Sequence, residues 1–98
     1  MSFRTTEAAD RDIAGLYADG EERFGTRQAE RYQDELFDRF DLIGDNPRLA
    51  RERPEFTPSI RVHPYGAHLI VYVLDDAGVL IVRVLPARAD WERWLAGD

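Results

Sequence analysis

The chain has 98 residues, 44% of them apolar and 11% aromatic, with no cysteine and a formal net charge of −6. These values describe one domain, residues 1–98, with one modest core rather than a disordered chain. Disulfide and thiolate chemistry are excluded, and because all thirteen basic residues are arginine, so are lysine Schiff bases and lysine general bases.

The opening Met1-Ser-Phe-Arg-Thr-Thr-Glu has no apolar signal core, and Phe3 suits a brief strand. Thr5 or Thr6 caps a first helix whose opening turn carries Glu7, the sign that the helix dipole favours. Ala9, Ile13, Leu16, Tyr17 and Phe24 follow helical spacing and give that helix one apolar stripe. Gly25 stops it and Thr26 caps the next. In the second helix Ala29, Tyr32, Leu36, Phe40 and Ile43 share a face, and Gly44-Asp-Asn-Pro47 ends it. So short a join makes the two helices an antiparallel hairpin.

Pro47 to Pro58 is expected to be a loop within the domain. Ile60-Arg-Val-His alternates apolar and polar as a half-exposed strand does, and Pro64-Tyr-Gly-Ala67 turns the chain. Leu69 to Leu74 is a continuous β-branched run, too short to span a membrane. Asp75-Asp-Ala-Gly78 is a hairpin connection, and Val79 to Leu85 is a second run broken only by Arg83. Asp90 caps a short last helix bearing Trp91, Trp94 and Leu95. The fold expected is α+β: a helical hairpin on one face of a mainly antiparallel sheet of about four strands. Continuous apolar runs mark strands covered on both faces, and only one helical layer is on offer. A bare face of on the order of 300 Å², roughly 7 kcal/mol of unused driving force, is therefore expected to be shielded by a second polypeptide.

A short strand, a helical hairpin and three antiparallel strands with an arginine-bearing exit resemble the RelE/ParE toxin superfamily. The resemblance runs from about Phe3 to Leu95. It is carried by Arg61, by His68-Leu-Ile-Val-Tyr-Val-Leu74 and by Val82-Arg-Val-Leu-Pro-Ala-Arg-Ala-Asp90. Phe24-Gly25 and Asn46-Pro47 add to it. Pro86 stands where ParE-type toxins usually have His, and this chain is more acidic than many of them. The resemblance implies a bacterial toxin of a type II toxin–antitoxin operon, and the lack of a signal core or membrane span leads to a cytoplasmic placement. The resemblance also implies inhibition of DNA gyrase and neutralisation by a ParD-like antitoxin. The alternative within the superfamily is a RelE-like interferase that cuts mRNA on the ribosome.

Charge and chemistry bear on that choice. Residues 1–45 hold six Arg against twelve Asp and Glu, and residues 46–98 hold seven of each. An acidic half repels phosphate, so direct nucleic-acid binding is not expected. Arg61 and Arg88 match positions where RelE-like toxins carry cations, but lysine is absent and indoles at Trp91 and Trp94 cannot act as acid or base. A binding protein is therefore favoured over an enzyme. Arg61, Tyr65, Tyr72, Arg83, Arg88, Trp91 and Trp94 are the expected partner-binding residues. For Arg83, which interrupts an apolar strand, the partner is either an antitoxin carboxylate or an internal one, Asp90 or an acid on a helix. His63 and His68 lack a third ligand, so no metal is expected. Asp75-Asp76 belongs to a turn, and no phosphate loop is present. No cofactor is expected.

Overall fold

The computed structural model of the chain describes residues 3–88. A first strand, β1 (Arg4–Thr5), leads into α1 (Glu7–Phe24) and α2 (Thr26–Asp45). Four strands follow: β2 (Glu52–Arg53), β3 (Ile60–Tyr65), β4 (His68–Asp75) and β5 (Gly78–Pro86). They form one sheet in the order β1-β5-β4-β3-β2. β1 runs parallel to β5, and the other pairs are antiparallel. The sheet thus has five strands rather than about four. The extra one, β2, lies within the stretch expected to be loop. The expected C-terminal helix, with Asp90, Trp91, Trp94 and Leu95, lies outside the described residues.

Local chemistry sets the helix ends. The Thr6 hydroxyl accepts from the Ala9 amide at 3.0 Å and so caps α1. Gly25, at φ 92°, closes α1 and opens α2. An L side chain rarely adopts that conformation, which is why glycine stands there. Thr26 is therefore the first residue of α2 rather than its cap, and its hydroxyl donates to Glu21 at 2.9 Å. At the β3–β4 turn Gly66 has φ 56°, which a two-residue hairpin turn of the primed kind requires at its first position.

Both helices pack on one face of the sheet. Ala9, Ile13, Leu36, Phe40 and Ile43 meet Ile70, Tyr72, Val79, Ile81 and Val84 in the main core. Ile81 and Val84 are three residues apart, which strict alternation would place on opposite faces. The register resolves this: Val71 pairs with Arg83 and Tyr72 with Ile81, so Val82 is an extra residue at a bulge.

The opposite face carries a second cluster. Ile60, Val71 and Leu85 are buried, and Phe56, Val62 and Val73 pack against them. Val71 and Leu85 are 0% exposed within the single chain. The expectation of a bare apolar face is thus corrected. Phe56, from the stretch between β2 and β3, folds over this face, and of the two continuous runs only Leu74 is classed as exposed.

The outer edge of β5 is closed by α1. β1 pairs only with Leu80 and Ile81. Beyond it the Thr6 hydroxyl donates to the Val82 carbonyl at 2.7 Å, and the Val84 amide donates to Asp12 Oδ2 at 2.9 Å. Arg83 grips the same carboxylate in bidentate fashion, Nε to Oδ2 at 2.7 Å and Nη2 to Oδ1 at 3.0 Å. Of the internal partners considered for Arg83, a helix carboxylate is observed, and Asp90 lies outside the described residues. Those hydrogen bonds raise the guanidinium's pKa above its already high value.

Candidate functional site

Toward the other edge of the sheet, on its helical face, α2 and β3 face each other across a polar groove. β3 presents Arg61, His63 and Tyr65 at every second position. α2 presents Tyr32, Glu35 and Arg39 on one flank, at spacings of three and four. The Tyr65 hydroxyl donates to Glu35 Oε1 at 3.0 Å, and the Arg39 guanidinium lies 4.9 Å from the centre of the Tyr65 ring. That separation allows a cation–π contact. Arg39 Nη1 is 3.5 Å from His63 Nε2. Burial, then the positive charge of Arg39, hold the His63 imidazole below its ordinary pKa.

Tyr32 bolts the β3–β4 turn to α2. Its hydroxyl accepts from the Ala67 amide at 3.2 Å and lies 3.2 Å from the Tyr65 carbonyl and 2.8 Å from His68 Nδ1. One oxygen satisfies all three groups when His68 carries its proton on Nδ1: it accepts twice and donates once. Burial lowers the His68 pKa, and Asp19 on α1 opposes that in part. Burial likewise raises the pKa of Tyr32. The two histidines are therefore claimed separately, His63 by Arg39 and His68 by Tyr32. Among the described residues no group of three or more His, Asp or Glu could hold a metal ion.

The groove continues toward the helical hairpin. A shallow hollow of about 450 Å³ is lined by Phe24, Arg27, Gln28, Arg31, Tyr32 and Glu35. Phe24 is 63% exposed, the most exposed large apolar side chain among the described residues.

The expected partner-binding residues divide. Tyr65 and Arg61 lie on β3 beside the groove, although Arg61 Nη1 also donates to the Ala50 carbonyl at 2.6 Å. Tyr72 is corrected to a core residue. It is 0% exposed, its hydroxyl donates to the Pro47 carbonyl at 2.8 Å and it accepts from the Ala50 amide at 3.2 Å. Burial raises its pKa. A side chain so enclosed holds the α2–β2 connection in place and offers a partner no surface. Arg83 is bound to Asp12 at the far edge of the sheet. Arg88 is exposed and follows Ala87, whose amide donates to the Ala67 carbonyl at 2.8 Å, so it stands beside the β3–β4 turn. Trp91 and Trp94 lie outside the described residues. Sequence reasoning missed Phe24, Arg27, Arg31, Tyr32, Glu35 and Arg39 as surface candidates. Arg27, Arg31, Glu35 and Arg39 recur at intervals of four, and that spacing alone lines them along one helix flank.

Comparison with known proteins agrees on the family. The family model described as ParE toxin of type II toxin-antitoxin system, parDE, matches residues 3–91. Two proteins called Toxin ParE1, from Mycobacterium tuberculosis strains CDC 1551 and H37Rv, are each 37% identical to this chain over 73 residues, 74% of either sequence. A solved structure of the chromosomal ParDE TA system from P. aeruginosa superposes with a TM-score of 0.75 at 16% identity, covering 90% of this chain and 97% of that one. At that identity the likeness speaks for the fold.

Proposed function

The chain belongs to the ParE toxin family of type II toxin–antitoxin systems, and on that premise we propose that it inhibits DNA gyrase by contact and is held inactive by a ParD-like antitoxin. The observation that carries this reading is the family match over residues 3–91, nearly the whole chain. The likeness to a chain of a ParDE TA system supports the antitoxin half of it. Support no longer comes from a bare sheet face, since Val71 and Leu85 are enclosed. The proposed action is binding rather than catalysis, in the cytoplasm where gyrase works. No helix among the described residues is long and apolar enough to cross a membrane.

A supercoiling assay tests the proposal. Micromolar purified toxin is expected to stop supercoiling and to accumulate cleaved DNA, and added antitoxin to restore activity. Normal supercoiling with no cleaved DNA would overturn it. The interferase alternative rests on Arg61 and Arg88, and the first of these is engaged by the Ala50 carbonyl at 2.6 Å. A-site cuts on translating ribosomes that vanish in Arg88→Ala would favour that alternative instead.

A further inference from the structure

The helical half of the chain has twice as many carboxylates as arginines, yet half of its arginines make no ion pair among the described residues. Arg4 pairs with Asp75, Arg11 with Glu7 and Arg23 with Asp19. Arg27, Arg31 and Arg39 pair with no carboxylate among the described residues. These three share one flank of α2, and the acid between them, Glu35, is held by the Tyr65 hydroxyl. Arg39 is instead turned onto the Tyr65 ring and toward His63, a second group able to carry positive charge. Beyond Arg61 no strand among the described residues pairs with the outer edge of β3. At the hairpin end of the same flank, Phe24 is 63% exposed over the hollow that Arg27 and Arg31 line. Three unneutralised arginines beside an exposed aromatic, on a chain with acids to spare, form a surface that fits an anion from outside.

We propose that this strip is where the antitoxin docks an acidic segment, with its carboxylates on Arg27, Arg31 and Arg39 and an apolar side chain against Phe24. The inference rests on the reading of the chain as a toxin held by an antitoxin, and names the surface and the chemistry of the contact. A peptide fits better than a nucleic acid. A continuous polyanion would meet the field of a chain carrying −6 overall. A few spaced carboxylates match three planar guanidinium forks. An aromatic side chain at the edge of a hollow is the kind of anchor that protein partners use.

Isothermal titration of the full-length toxin with its purified antitoxin tests this. Wild-type affinity should fall as salt rises, and Arg27→Glu with Arg31→Glu should weaken binding by roughly 30-fold at low salt. Arg11→Glu, exposed on α1 and outside the strip, should change it by less than about twofold. The neutral pair Arg27→Gln with Arg31→Gln removes the charge without placing new acids beside Glu30 and Glu35, and it should still weaken binding by about fivefold. Unchanged thermal melting of each variant shows that the fold is intact. Double-variant affinity within about twofold of wild type overturns the inference and leaves the toxin–antitoxin reading standing. Unchanged antitoxin affinity with lost retention on duplex DNA also overturns it, in favour of a nucleic-acid strip. A wild-type toxin that binds no antitoxin at all overturns the underlying reading and the inference together.

Discussion

Asp12→Ala should destabilise the fold by about 2–3 kcal/mol, because one carboxylate closes an otherwise open sheet edge. The Asp12 carboxylate takes three hydrogen bonds, two from Arg83 and one from the Val84 amide, at 2.7 to 3.0 Å. The side chains are 25% exposed for Arg83 and 16% for Asp12. Stripping the partner from a fully buried charge costs about 3–5 kcal/mol, and this partial exposure places the loss toward the lower end of that range or below it. For a domain of this size the melting temperature should drop by roughly 10–20 °C. Urea titration of Asp12→Ala, Arg83→Met and the double variant measures the coupling. The double variant should be less destabilised than the sum of the singles by about 1–2 kcal/mol, since it leaves no buried charge without its partner. Asp12→Asn should fall between wild type and alanine, because its amide oxygen still accepts from Val84 while the charge is gone. A loss below about 0.5 kcal/mol for Asp12→Ala, or strict additivity in the cycle, would refute the claim that this carboxylate secures the edge.

Tyr72→Phe should lower stability by about 1–2 kcal/mol in urea titration, because the Pro47 carbonyl and the Ala50 amide lose their shared partner. Proteolysis should then cut first between α2 and β3; an unchanged cleavage pattern would argue against Tyr72 as the tether. Gly66→Ala should lower the melting temperature, with a loss of about 1–3 kcal/mol. The added Cβ would stand 2.6 Å from the Tyr32 hydroxyl oxygen at a φ of 56°; a wild-type melt would show the turn to be looser than described. Stability should also fall as pH drops below about 6.5. Burial depresses the folded pKa of both His63 and His68, so the unfolded chain binds protons first and gains on the native state. The loss should level off once pH passes below the folded values. Imidazole titration by NMR together with urea midpoints from pH 5 to 7.5 checks this, and His63→Gln with His68→Gln should flatten the curve.

Much of the fold was legible because periodicity reports burial. The α2 stripe Ala29, Tyr32, Leu36, Phe40, Ile43 faces the sheet as its spacing implies, with only Tyr32 left part-exposed at the groove. α1 was less faithful. Ala9 and Ile13 are buried but Phe24, the last member of its stripe, projects at the hairpin tip. Helical spacing carries no information about where the partner surface stops. The two-residue strands β1 and β2 are too short to show any period at all. β1's parallel seat beside β5 is fixed by long-range pairing that local sequence does not encode.

The groove was half legible for a related reason. Alternation in Ile60-Arg-Val-His marked β3 as half exposed, and it does present Arg61, His63 and Tyr65 beside α2. What faces them comes from a helix more than twenty positions earlier, and only the four-residue recurrence of Arg27, Arg31, Glu35 and Arg39 hinted at it.

The bare-face expectation failed on a specific physical point. A continuous apolar run says that both faces of a strand are covered, but it does not say by what. Counting helices as the only available cover overlooked the stretch before β3, where Phe56 reaches Ile60, Val71 and Leu85. It also overlooked the bulge at Val82. The shift of phase there lets Ile81 and Val84 both reach the helical core, while Leu85 joins the cluster on the opposite face. The same bulge sits beside the edge that Thr6 and Asp12 close, where Val82 and Val84 turn their backbone groups to α1 instead of to another strand. One edge of the sheet is therefore stapled by side chains and protected against strand addition. The opposite edge is covered by β2 only at Ile60 and Arg61. Among the described residues, the sheet edge left open to a partner's backbone is therefore that of β3, next to α2 arginines that no described carboxylate pairs.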